Sequence, residues 1–287
     1  VESVDDARAV VREQTPIAAR TVAELGRGAD SVAYLVDDDW VVRFPVVDEA
    51  RETLKRELAL LPMLAPALPV AIPAVEHVGR RGDELLFAAY RRLPGEPLRP
   101  GRFASLAATA QDEILAQIAA TLGALHAFPI ADASSAGVRS ELLKGAYHEA
   151  QRALPKAVER VLDRADAARL TDAFRSYETD RIVALLHADI KPAHLLVDGG
   201  RVSGLIDWGD VCLGDPDFDL AVIAMFFGQG VLERLLAHLG DRDPAHIRDK
   251  MRFFTTVRWT QDLAFVIQRG DRAAIARALR RLREHLA

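Results

Sequence analysis

Between Leu185 and Asp210 the chain reads LLHADIKPAHLLVDGGRVSGLIDWGD, and no other stretch limits the possible folds so tightly. Two short apolar runs, 181–186 and 194–197, flank His187-Ala188-Asp189-Ile190-Lys191-Pro192-Ala193-His194. A third run, 202–206, follows the Gly199-Gly200 turn and ends in Asp207-Trp208-Gly209-Asp210. The turn between apolar runs predicts a hairpin whose strand ends deliver polar residues toward one place. A carboxylate at the end of a buried strand must meet a cation, a donor or a substrate, so this stretch is expected to be a site.

The chain of 287 residues suits one large or two ordinary domains, and at 50% hydrophobic and 28% charged it has ample material for a core. A formal net charge of -5 gives no electrostatic footprint for nucleic acid. The single cysteine, Cys212, excludes an intramolecular disulfide and agrees with a reducing compartment, so the cytoplasm is the expected location. The first residues, VESVDDARAVVREQ, are acidic and amphipathic rather than basic with an apolar centre. Neither a signal peptide nor a membrane partner is expected.

Residues 4–14 have the spacing of a short surface helix. From Arg20 the pattern becomes β-like: TVAELGRGADSVAYLV, then Asp37-Asp38-Asp39, then WVVRFPV, which predicts three antiparallel strands. The first connection, Gly26-Arg27-Gly28-Ala29-Asp30-Ser31, has glycines that would let backbone amides approach phosphates, though such hairpins are also ordinary turn chemistry. It lies between strands, not between a strand and a helix, which argues against a dinucleotide fingerprint or a P-loop. Asp48 is a candidate cap for a helix through Leu61, with Pro62 ending it. Arg43 on the third strand and Glu57 on that helix are candidates for a buried ion pair, with two solvated charges as the alternative.

Two further β-type runs, 72–79 and 84–90, complete a five-stranded lobe, and the Pro- and Gly-rich stretch after Arg91 marks a boundary near residue 92. Beyond it, 109–128 has the spacing of a strong core helix, with His126 read as a capping or core histidine. Two or three helices are expected over 139–177. Asp215-Pro216 is expected to start another, with Asp as N-cap and Pro first in the helix. Residues 232–286 read as helical, broken near Gly240 and Gly270. The expected class is α+β, with a small antiparallel-sheet N-lobe (residues 1–92) and a mostly helical C-lobe (residues 93–287) that carries the inserted hairpin.

The residue types in the opening stretch permit two chemistries. Asp189 is able to orient a hydroxyl and accept its proton, Asp207 and His194 to hold Mg²⁺, and Lys191 to stabilise a transferring phosphoryl group. Alternatively His187, Asp189, His194 and Asp207 form a hydrolytic metal centre, a reading that leaves the glycine hairpin and the Arg43–Glu57 pair without a role.

His187 to His194, followed by Ile206-Asp207-Trp208-Gly209-Asp210 and Gly214-Asp215-Pro216-Asp217-Phe218-Asp219-Leu220-Ala221, resembles the aminoglycoside phosphotransferase family, including its macrolide phosphotransferase branch. The resemblance implies a bilobal protein-kinase-like fold and transfer of the γ-phosphate of ATP or GTP, with Mg²⁺, to a hydroxyl of an antibiotic. It implies that Asp189 positions the acceptor hydroxyl, that Lys191 assists, and that Asp207 and His194 bind metal. Gly26, Gly28 and Ser31 would cover the phosphates, with Arg43 and Glu57 as the strand-to-helix pair. The hinge, including Ala89, Tyr90 and Arg91, would meet the nucleobase, and Asp219 would hold the catalytic loop from below. Candidate substrate residues are Asp210, Trp259 and Asp262, with the aromatics of that helix also readable as core. A nucleoside triphosphate and a small antibiotic are the implied partners, with a monomer as the expected state.

Three positions depart from the family pattern. His194 stands where an asparagine is usual, which resembles the macrolide branch; Arg43 replaces a lysine, and a forked guanidinium is not equivalent to an ammonium. The third is Trp208 in the middle of the metal-binding turn. Alternatives are a metabolic kinase of an amino alcohol or sugar and a nucleotide-binding pseudokinase.

Overall fold

A computed structural model describes residues 3–28, 31–140, 152–157, 160–175, 184–240 and 244–287. The chain divides into two compact units, one of residues 1–117, 131–138 and 193–210, the other of residues 118–130, 139–192 and 211–287. Among the described residues no helix is long and apolar enough to cross a membrane.

In the first unit, strands β1 (Val22–Arg27), β2 (Ser31–Val36), β3 (Trp40–Pro45), β4 (Val75–Arg81) and β5 (Glu84–Arg91) form an antiparallel sheet in the order β1-β2-β3-β5-β4. Alternation decides its two faces. Val32, Tyr34, Val36, Trp40, Val42, Phe44, Phe87 and Ala89 point one way, where Ala7 and Val11 of helix α1 (Val4–Gln14) close a core. A capping box starts that helix, Ser3 accepting from the Asp6 amide while Asp6 accepts from the Ser3 amide. The opposite face packs Ala88 and Leu85 on Leu54 of helix α2 (Asp48–Leu64). Leu85 reaches that face because the register shifts between Gly79 and Arg80, a bulge that reverses the side-chain direction.

Two expectations for α2 are corrected. Val47, not Asp48, precedes the helix, with no side-chain cap, and Asp48 is instead its first residue and pairs with Arg51. Pro62 lies inside the helix, which continues to Leu64 and then tightens into a 3₁₀ turn over 65–67. Proline in the last turn removes one hydrogen bond without stopping a helix that is about to end.

Gly79 has a packing reason: a Cβ there would lie 1.9 Å from the Phe87 ring. Phe87 is fully buried and cannot swing away. Gly79→Ala is expected to cost about 1–3 kcal/mol of stability through overpacking. Urea denaturation checks this, and a wild-type midpoint would contradict the packing account.

The hairpin β8 (Leu195–Asp198) and β9 (Arg201–Leu205) turns on Gly199 and Gly200, both at positive φ, +54° and +81°, as a two-residue hairpin demands. It pairs with β6 (Glu96–Pro97) into a three-stranded sheet, order β6-β8-β9, and belongs to the first unit. It is tied to the segment at Ala71, whose carbonyl accepts the Leu205 amide at 2.9 Å, while a Cβ at Gly204 would press on the Leu93 side chain at 3.0 Å. Ser203 Oγ donates to the Pro94 carbonyl at 2.7 Å, joining two of the segments, 93–117 and 193–210, that the first unit includes.

The second unit is mostly helical. Helix α3 (Ala108–His126) enters it at residue 118 and buries Ile118, Leu122 and Leu125 there. Of the region expected to hold two or three helices, Arg164–Arg175 is helical, while residues 141–151, 158–159 and 176–183 lie outside the described residues. A two-stranded pair, β7 (Ala184–Leu186) with β10 (Cys212–Gly214), was not expected, since three residues are too few to show alternation.

The helix after Asp215-Pro216 runs Asp217–Phe227 and ends at Gly228 with φ +90°. Pro216 stands as its cap residue, and the Asp215 side chain still accepts the Asp217 amide at 3.1 Å. Lys250, buried in helix Pro244–Arg269, bonds Asp215 at 2.9 Å and Asp217 at 2.7 Å. Phe218 meets Phe254 edge-on, ring centroids 5.2 Å apart, so Phe254 is core. The last helix, Arg272–Leu286, starts on an Asp271 cap, and Arg283 bonds Asp166 at 2.6 Å. The expected break near Gly240 adjoins residues 241–243, outside the described residues.

Candidate active site

The loop that carries Asp189 is built from β7 onward. His187 and Ala188 amides donate to the Asp219 carboxylate at 3.2 and 2.7 Å, and His126 Nε2 lies 3.0 Å from the same group. Asp219 is fully buried, so its oxygens need these partners in place of water. Ala188 is held at φ +64°, a left-handed conformation that costs an alanine roughly 1–2 kcal/mol and is sustained here by the Asp219 hydrogen bonds. His126 is therefore a core histidine with a defined partner.

Asp189 itself is buried, and each carboxylate oxygen meets a different cation. Lys191 Nζ donates to Oδ2 at 2.7 Å, and Arg258 donates to Oδ1 at 3.2 Å. Arg258 lies on the same helix as Asp262, its Nε 4.0 Å from Asp262 Oδ1. Burial pushes the Asp262 carboxyl above the ordinary range, against the pull of Arg258 and Arg281. Trp259 is buried, and the Arg281 guanidinium sits 4.6 Å above its ring. Arg258 did not emerge from the sequence; the available signal was its i,i+4 spacing to Asp262 on one helix face.

The first unit holds the other group of charges. Arg43 and Glu57 form the strand-to-helix pair in bidentate geometry, 2.8 and 3.1 Å. Burial disfavours the Arg43 charge, but Glu57, Tyr90 and Asp207 outweigh it and hold the guanidinium above its ordinary pKa. Burial raises the Glu57 carboxyl despite Arg43. Burial likewise pushes the Tyr90 hydroxyl up to about 12, with Arg43 opposing and Glu57 and Asp207 reinforcing.

Asp207 adopts φ +66°, and its Oδ2 lies 3.1 Å from His194 Nε2. The Ile206 amide donates to the His194 carbonyl at 3.0 Å, which keeps these two residues together across the hairpin. Trp208 is fully buried and its indole donates to the Leu205 carbonyl at 3.1 Å, so the departure from the family's middle residue fills space and anchors the turn. A carboxylate oxygen suits Mg²⁺, and a neutral imidazole nitrogen is an acceptable if softer partner, so the donor set of His194 and Asp207 fits a divalent cation. Asp210, next along, is exposed.

Of the remaining nucleotide candidates, Gly26 follows a bulge at Leu25, and the Gly28 amide donates to the Ser31 carbonyl at 2.9 Å; Ala29 and Asp30 lie outside the described residues. Ala89 and Tyr90 are paired on both sides, with β3 and with β4, so the sheet ladders engage this part of the hinge. The Arg91 guanidinium stacks on Trp40 at 3.9 Å and bonds Asp39.

In the first unit a strand arginine is clasped by a helix glutamate, and in the second the loop that carries Asp189 hangs on the buried Asp219. A model of the phosphotransferase enzyme family, APH, matches residues 21–254, and the chain belongs to that family. It is similar to the GDP and kanamycin complex of APH(2")-IIia, 30% identical with a TM-score of 0.91 over 98% of each chain. The macrolide 2'-phosphotransferase type I has the same fold, at 24% identity and a TM-score of 0.72 over 97% of this chain and 96% of that one. Viomycin phosphotransferase of Streptomyces vinaceus is 43% identical over 58 residues, 19% of this chain. The matches span 18% and 20% of the first curated relatives' own lengths.

Proposed function

We propose that the protein is an antibiotic phosphotransferase that moves the γ-phosphoryl group of ATP or GTP to a hydroxyl of an aminoglycoside. The observation that carries this is Asp189: a buried carboxylate fixed at both oxygens, on a loop suspended from Asp219, in a chain of the phosphotransferase family.

Asp189 accepts the hydrogen bond of the acceptor hydroxyl and takes its proton as the oxygen attacks the γ-phosphorus. The bond to the β–γ bridging oxygen breaks and nucleoside diphosphate leaves. Lys191 brings positive charge close to the transferring group. His194 and Asp207 would hold Mg²⁺, which would neutralise negative charge on the nucleotide phosphates. Arg43, fixed by Glu57, faces the phosphates as the family lysine would, and Gly26, Gly28 and Ser31 cover them.

Aminoglycosides are polycations, and Asp262 offers a carboxylate on the helix that carries Arg258, whereas Phe254 and Trp259 of the same helix are buried and offer little apolar wall. The likeness to the kanamycin complex supports the same substrate class. A macrolide acceptor is the second reading, favoured by His194. Expression in a susceptible bacterial host tests both: raised aminoglycoside resistance, lost with Asp189→Ala, is expected. Resistance to macrolides alone would favour the second reading, and no resistance to either class from a well-expressed protein would contradict the proposal. The protein is expected to act in the cytoplasm, as a monomer.

A further inference from the structure

Resting on that reading, we propose that Arg258 is a positioning residue for phosphoryl transfer: from the helix Pro244–Arg269 it fixes the direction in which Asp189 presents its carboxylate. The terminal torsion of an aspartate is broad and nearly two-fold, so one bond to a carboxylate leaves its plane poorly defined. Here Lys191 holds Oδ2 at 2.7 Å and Arg258 holds Oδ1 at 3.2 Å. Rotation of the carboxylate therefore breaks at least one charge-assisted bond.

The two cations are not equivalent. Lys191 is two residues from Asp189 on the same loop and moves with it, so it defines no direction relative to the rest of the unit. Arg258 reaches Asp189 across 69 residues of sequence, from a helix buried through Phe254, Val257 and Leu263 and tied down by Lys250 to Asp215 and Asp217. It supplies the fixed reference. Asp262 lies 4.0 Å from its Nε, so the guanidinium stands between two carboxylates. Each carboxylate oxygen has two lone pairs, so Oδ1 can accept from Arg258 and from an acceptor hydroxyl together.

A residue that aims a general base controls turnover, not nucleotide affinity, and a misplacement of about 1 Å costs on the order of 10²-fold. Arg258→Met is expected to lower kcat by that order with the nucleotide KM within about two-fold of wild type, both for transfer to antibiotic and for slow nucleotide hydrolysis, in which water replaces the hydroxyl. Guanidinium ion added to this variant should restore part of the rate, and Arg258→Lys should lose less than Arg258→Met, because the charge remains while the fork is lost. Should Arg258→Met fold poorly, as its thermal melt would reveal, Arg258→Lys carries the test, with a several-fold fall in kcat. A reaction abolished by Asp189→Asn but unchanged in folded Arg258 variants would overturn the positioning role alone. A reaction indifferent to Asp189→Asn would instead overturn the functional reading.

Discussion

Asp189→Asn lowers phosphoryl transfer by about 10²–10⁴-fold, the usual contribution of a positioned acid–base group, while nucleotide affinity stays near wild type. The substitution keeps the size of the side chain and removes its charge and its ability to take a proton. Lys191 and Arg258 then face a neutral amide, so a modest fall in melting temperature accompanies the loss of turnover. Steady-state kinetics with a phosphorylated antibiotic as product, alongside nucleotide titration, separates the two effects. Loss of nucleotide binding equal to the loss of turnover would mean that Asp189 holds the nucleotide instead of serving the acceptor.

Asp219→Ala has the next largest effect, and it acts on stability and activity together. Its carboxylate is fully buried and receives the amides of His187 and Ala188, with His126 as third partner. Removing it strands two buried amides, each at about 1–3 kcal/mol, and removes what holds Ala188 at positive φ. The expected result is a loss of roughly 3–5 kcal/mol, as for breaking a buried charged network, with turnover down at least about 100-fold in whatever protein remains folded. Denaturant titration with activity measured well below the midpoint checks both parts. Stability within about 0.5 kcal/mol of wild type would contradict the supporting role, since that is the range of surface substitutions remote from any special feature.

How much of this was legible in the sequence depends on the range of each contact. The five strands and helix α2 were readable because alternation and helical spacing are local, and Arg43–Glu57 could be offered as a candidate pair, beside two solvated charges, because its partners stand on a strand and the helix that directly follows it. Asp189, Asp207 and Asp219 stand in short motifs, so their places could be inferred without tertiary information. Arg258 was not legible, because its bond to Asp189 spans 69 residues and nothing in the spacing of a 26-residue helix says which loop its charged face meets. His126 shows the same limit: its helix end was clear, its partner Asp219, 93 residues away, was not. Strands β6 and β10 have two and three residues, below the length at which a period can be seen, so the sheets around the hairpin and behind the loop went unread. The hairpin's membership of the first unit followed from Gly204 meeting Ala71, an approach between segments distant in sequence.

Every functional role assigned above depends on Asp189 acting on a hydroxyl. Incubation of the purified protein with Mg-GTP or Mg-ATP and a panel of aminoglycosides and macrolides, followed by mass spectrometry of the antibiotics and quantitation of nucleoside diphosphate, tests it most directly. The account predicts that at least one antibiotic gains a single phosphoryl group, with one diphosphate formed for each and neither formed by Asp189→Asn. Tight nucleotide binding with no phosphorylated product anywhere in the panel would contradict it and leave a nucleotide-binding pseudokinase in its place.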